Sequence, residues 1–268
     1  MQAPYPRLIL AIISVAIWAV ITLGVPNLLL DSQTSLQDLI TKDLAWGVAL
    51  AALFLVVLVW LADWRDMGLR APSPPGWWKL LWLPAFYLAG LGTLGLLTDK
   101  LEPLAVAMVL INTAMVGFSE ELAFRGVLWG AARKALPFWT GFLLVSLVFG
   151  SVHVFNALLT GELAAAGVQA LNAFMSGAAY LAIRIRTRSI IPIMVIHAIW
   201  DFVVFLAGSG ADKGAAPDPA SLQQQLILGL TLTGPLFLYG LWLVRSETVR
   251  AGWRDDGIDT PAKQAGDQ

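Results

Sequence analysis

Three short segments place acids, imidazoles and a guanidinium inside otherwise apolar sequence. They are Gly117-Phe118-Ser119-Glu120-Glu121-Leu122-Ala123-Phe124-Arg125-Gly126, then Phe149-Gly150-Ser151-Val152-His153, then His197-Ala198-Ile199-Trp200-Asp201. His153 and His197 are the two histidines of the chain. On a helix, Glu121 and Arg125 stand four apart in the favourable acid-first order and share a face. Glu120 is turned about 100° away, so one carboxylate has a built-in counter-ion and the other is free to act. His197 and Asp201 are again four apart, and a carboxylate beside an imidazole fixes its tautomer and raises its basicity. Together these groups meet the needs of amide hydrolysis: a base for water, a proton donor for the leaving amine and donors aimed at the oxyanion. Taken singly, each has a plainer reading as a hydrogen-bonding packing residue, a helix–helix clasp or an interfacial acid. Phe124 and Phe149 read as core filler. The combination of all three segments in one small chain argues for a shared site.

The elements that must position these groups are membrane helices. The chain is 268 residues long, 58% hydrophobic and 13% charged, where a soluble domain carries about 25% charged residues. Its apolar residues come in long runs rather than stripes. A helix needs roughly 20 apolar residues to cross about 30 Å of hydrocarbon, and backbone in lipid must satisfy its own hydrogen bonds. The runs predict an all-α, polytopic fold with eight transmembrane helices, at about 8–30, 44–62, 80–98, 103–132, 138–160, 163–184, 189–208 and 222–244. The first is long for a signal peptide and lacks a clear cleavage site, so it reads as a retained helix. Segment 31–43 reads as a polar loop at the membrane interface, and 209–221 as a mobile loop. Residues 1–245 form one transmembrane domain with a catalytic core at about 103–208, and 246–268 a polar, disordered cytoplasmic tail.

Charge placement orients the bundle. Eight spans put thirteen Lys and Arg side chains on one face and three, Lys42, Lys100 and Lys213, on the other, with Arg125 left out as intramembrane. The positive-inside rule makes the basic face cytoplasmic, together with the N-terminus and C-terminus. The basic inner face and short outer loops predict a cavity opening towards the cytoplasm. With no cysteine in the chain, disulfides, thiolate catalysis and Cys-ligated metals are excluded. Nothing in the sequence calls for nucleic acid. The expected location is a bacterial cytoplasmic membrane, with lipid as the surrounding partner.

At its three polar segments the chain resembles the CPBP family, the CAAX-processing and bacteriocin-processing (Abi) intramembrane proteases, which include the type II CAAX prenyl endopeptidases. The family pattern of Glu-Glu-x-x-x-Arg, Phe-x-x-x-His and His-x-x-x-Asn or Asp is met by Glu120, Glu121 and Arg125, by Phe149 and His153, and by His197 and Asp201. The resemblance covers roughly 103–208. It implies that Glu120 activates water with help from His153, that Arg125 paired with Glu121 orients the site or the substrate, and that His197 and Asp201 stabilise the oxyanion. The implied substrate is a membrane-associated protein or peptide, lipidated or not.

The six site residues carry a formal charge of −2 with neutral histidines, which is costly at low dielectric. A protonated carboxyl, a protonated histidine or a divalent cation would relieve it. The cofactor expectation is therefore none, or one cation with zinc first, held by Glu120, His153 and His197 as in a metalloprotease. Competing readings are a proton-coupled transporter, which needs a continuous polar path, and a catalytically inactive immunity or scaffold protein of the same fold. A rhomboid-type serine site at Ser176-Gly177 is disfavoured, because Phe174 stands where that motif has glycine.

Overall fold

The computed structural model describes residues 4–29, 32–98, 101–208 and 219–252, and every regular element among them is helical. The helices are α1 (Pro4–Leu29), α2 (Leu36–Lys42), α3 (Trp46–Leu61), α4 (Trp82–Thr98), α5 (Pro103–Glu121), α6 (Trp129–Ala135), α7 (Phe138–Val152), α8 (Ala157–Thr160), α9 (Leu163–Thr187), α10 (Ile191–Gly208), α11 (Pro219–Leu243) and α12 (Glu247–Ala251). A π-helical turn, Leu122–Leu128, joins α5 to α6 without a break, and a 3-10 turn, His153–Asn156, joins α7 to α8. The sequence-predicted loop at 209–221 and tail at 246–268 fall largely outside the described residues; α12 occupies the start of the tail.

Among the described residues seven helices are long and apolar enough to cross a membrane, and the count reaches eight if α2 and α3, bent by 79°, make one span. Here the sequence expectation needs correcting. The second predicted span, about 44–62, is met by α3, one 16-residue helix, but α2 lies where an interfacial loop was expected over 31–43, and the two meet at a sharp bend. Ser35 starts α2 by accepting a hydrogen bond from the Asp38 amide at 3.0 Å, which satisfies one of the donors a helix start leaves over. Asn112, fully buried in α5, holds the bend. Its Nδ2 donates to the carbonyls of Ile40 at 2.9 Å and Asp43 at 2.8 Å, and its Oδ1 accepts from the Ala45 amide at 2.9 Å. Asn112→Ala should strand these groups, at about 1–3 kcal/mol for each one left buried and unpaired. A melting temperature in detergent equal to wild type would contradict this account of the bend.

The opposite end of the bundle is tied by charge. Asp66, in the segment between α3 and α4, receives Arg7 of α1 at 2.6 Å, Arg133 of α6 at 2.8 Å and Lys134 at 3.0 Å. Burial alone would raise the Asp66 pKa, but Arg7 and Lys134 hold it well below the usual carboxylate range. Such a group contributes stability that is complete above its unfolded pKa of about 3.9 and is lost as pH falls towards its folded value. Stability of the wild type should therefore decline below about pH 4 more steeply than that of Asp66→Asn, which should already be less stable at neutral pH. Parallel acid-unfolding curves would argue against the cluster. The connection from α9 to α10 packs on the same segment, with the Ile190 amide donating to the Gly68 carbonyl at 2.9 Å and Ser189 Oγ to the Arg70 carbonyl. In the middle of the bundle, α5 packs against α10, α9 against α7 and α11, and α4 against α10.

Candidate active site

Glu120 and Glu121 are the last two residues of α5, and Arg125 lies in the π-helical turn that follows. Such turns are rare and are found mostly at functional sites. Trp18 of α1 donates from Nε1 to the buried Ser119 Oγ at 2.8 Å, which fixes the helix just before the two acids. Gly117 lets α10 approach on the next turn. A Cβ there would stand 2.7 Å from the Met194 carbonyl oxygen and 2.9 Å from the Ala198 nitrogen. That contact brings His197 onto the acids.

Glu121 and Arg125 pair at 3.1 Å, as their spacing predicts, and both are fully buried. Arg125 also donates to the Gly177 carbonyl of α9 at 2.9 Å, and its guanidinium sits 4.0 Å above the centre of the Phe149 ring. Phe149 is thus more than core filler, since it carries a cation on its face and sets its ring edge-on to His153 and His197. Gly177 is required for this stack. A Cβ at that position would lie 2.5 Å from Phe149 Cδ1 and 2.9 Å from Arg125 Nη2.

The two imidazoles are oriented by different partners. His153 Nδ1 lies 2.8 Å from the Phe149 carbonyl. A carbonyl can only accept, so Nδ1 carries the proton and the neutral ring turns the Nε2 lone pair towards Glu120. His197 Nδ1 lies 2.8 Å from Glu121 Oε1. The carboxylate that orients His197 is therefore Glu121 on the neighbouring helix. Asp201, expected in that role from its spacing, stands on the other side of the ring at 3.5 Å from Nε2. Glu120 Oε2 completes the group at 3.9 Å from His153 Nε2 and 3.8 Å from His197 Nε2, and no protein group hydrogen-bonds to it. All six sequence-predicted residues thus meet in one place.

Two features escaped the sequence reading. Tyr180 is 2% exposed, packs its ring against His197 and has a hydroxyl with no protein partner. A cavity of about 820 Å³ reaches Glu120, Phe149, His153, Tyr180, His197 and Asp201. It does not open at the basic end, as the charge pattern suggested. Its lining runs instead to Leu36, Asp38, Lys42 and Asp43 around α2, at the other end of the bundle. The reason is the bent α2–α3 unit, which walls the far half of the cavity.

The donors named for a divalent cation converge without closing into a ligand set. Oxygen and nitrogen donors about 2.0–2.1 Å from a tetrahedral zinc lie roughly 3.3 Å from one another, closer than Glu120 Oε2 stands to either imidazole. Among the described residues no group of three or more His, Asp or Glu is arranged to hold a metal ion.

Residues 102–203 match the family described as type II CAAX prenyl endopeptidase Rce1-like. No curated protein and no solved structure matches the chain. The matched stretch contains Glu120, Glu121, Arg125, His153, His197 and Asp201. Through it, this membrane-spanning chain is related to the CAAX protease family and is an enzyme of the peptidase class.

Proposed function

We propose that the protein is an intramembrane endopeptidase that hydrolyses a peptide bond with water activated by Glu120. The observation that carries this reading is the position of Glu120 Oε2 in the cavity wall, 3.9 Å from His153 Nε2 and 3.8 Å from His197 Nε2. Groups at that separation are too far apart to bond directly and suited to hold a small polar molecule between them.

Glu120 takes a proton from water while the His153 Nε2 lone pair accepts its other hydrogen, which aims the oxygen at the substrate carbonyl carbon. The new C–O bond forms as the carbonyl π pair moves to oxygen. His197 is held at Nδ1 by Glu121, and in its imidazolium form it donates Nε2–H to that oxyanion, with a protonated Asp201 beside it as a second donor. Collapse of the intermediate breaks the C–N bond, and the proton held by Glu120 passes to the leaving amine. Arg125 meets no reacting atom. It neutralises Glu121 and so keeps that carboxylate in place to orient His197. A transport path is disfavoured, because below the cavity floor the packed Phe124 and Arg125 are fully buried.

The test compares membranes bearing equal amounts of wild type and Glu120→Gln, with new protein N-termini sequenced by mass spectrometry. Termini made only by the wild type are expected and would also identify the substrate. Identical profiles would overturn the reading.

A further inference from the structure

Among the described residues, the cavity that holds the site extends away from the basic face. Around the mouth at α2, Lys42 and Asp43 are exposed. The same end of the bundle carries Glu102 and Glu162, at the starts of α5 and α9. The other end carries Arg65, Lys79, Arg186, Arg188, Arg245 and Arg250, none of which lines the cavity. Between that end and the catalytic groups lies closed packing of Phe124, Arg125, Val127, Leu128 and Trp129, each 1% exposed or less.

The cavity also reaches the side of the bundle. Helix α10 packs on α5 and α4, whereas α11 packs on α9. Val204 of α10 and Leu228 of α11 both line the cavity, yet they are 40% and 61% exposed. Helices α10 and α11 thus line the cavity together without packing closely on each other. The lining includes the amides of Asn156, Gln169, Asn172 and Gln225 as well as the apolar side chains of Trp200 and Leu232. Amide side chains both donate and accept, as a peptide backbone does and a hydrocarbon chain does not.

Building on the proteolytic reading, we infer that the substrate is a polypeptide anchored in the same membrane, cleaved on the side opposite the basic face and admitted between α10 and α11. Because basic residues are retained on the cytoplasmic side, the scissile bond lies towards the exoplasmic side.

The full chain has no cysteine, so single reporters can be placed without background. Gln225→Cys stands in the cavity wall and Ser246→Cys on the exposed basic end. Sealed cells would be treated with a membrane-impermeant maleimide before and after permeabilisation. Gln225→Cys should label in intact cells, and Ser246→Cys only after permeabilisation. Labelling of Ser246→Cys in intact cells would invert the orientation and overturn the proposal. So would protection of both positions until permeabilisation. This readout needs no activity, so it stands or falls separately from the Glu120→Gln comparison. If that comparison yields new termini, they should map to the exoplasmic ends of membrane anchors; cytoplasmic termini would overturn the substrate assignment.

Discussion

Replacing Glu120 by glutamine should lower turnover of a cleaved peptide by about 10²–10⁴-fold, the range for removal of a positioned general base, with KM and melting temperature unchanged. The separation of these effects follows from the geometry. Glu120 Oε2 has no protein hydrogen-bond partner, so the amide breaks no contact that holds the helices together. Its side chain is 14% exposed, at the edge of a cavity wide enough for a peptide segment, so substrate binding is carried by other walls. What disappears is the carboxylate proposed to take the proton from water. The measurement is steady-state kinetics on the peptide revealed by the terminus comparison. A rise in KM with kcat preserved would mean that Glu120 binds substrate and that another group activates water.

Arg125→Met should act through stability first. The guanidinium is fully buried and touches Glu121, the Gly177 carbonyl and the Phe149 ring at once. Methionine fills much of the space but leaves the buried Glu121 carboxylate with His197 as its remaining partner. Breaking one member of a buried ion pair costs about 3–5 kcal/mol, because the other charge stays behind uncompensated. The check is the melting temperature of the purified protein in detergent. Pairing it with Glu121→Gln gives a sharper test, since residues of one network are not additive. The double variant should be clearly more stable than the sum of the two single losses implies. Strict additivity would show that the two side chains act independently.

The sequence disclosed the parts of this site that follow a helical period and hid those that cross between helices. Glu121 and Arg125 are four apart, and their pairing could be read directly. His197 and Asp201 have the same spacing, but the imidazole donates its closer hydrogen bond to Glu121, 76 residues earlier. No local pattern encodes that choice. It arises because Gly117 lets α10 close on α5. Phe149 looked like filler because an aromatic ring in an apolar span carries no mark of the cation above it. Tyr180 and Asn112 are single polar residues in long apolar runs, and their importance depends wholly on what faces them. The spans were legible from their length, α3 included; what was not legible is the seven-residue α2 and the sharp bend that joins it to α3. There the apolar run reported how much chain prefers lipid, and Asn112 decides how that chain is folded.

The charge cluster at Asp66 also has a consequence for the order in which the bundle can close during synthesis. Its members arrive far apart along the nascent chain: Arg7 first, Asp66 after α3, then Arg133 and Lys134 once the long helix from Pro103 has been made. Until that moment the early helices hold one acid against one arginine. Completion of the cluster therefore coincides with delivery of the segment bearing Glu120, Glu121 and Arg125. The first hairpin thus gains its last ion-pair partners only from a chain that already contains Glu120, Glu121 and Arg125.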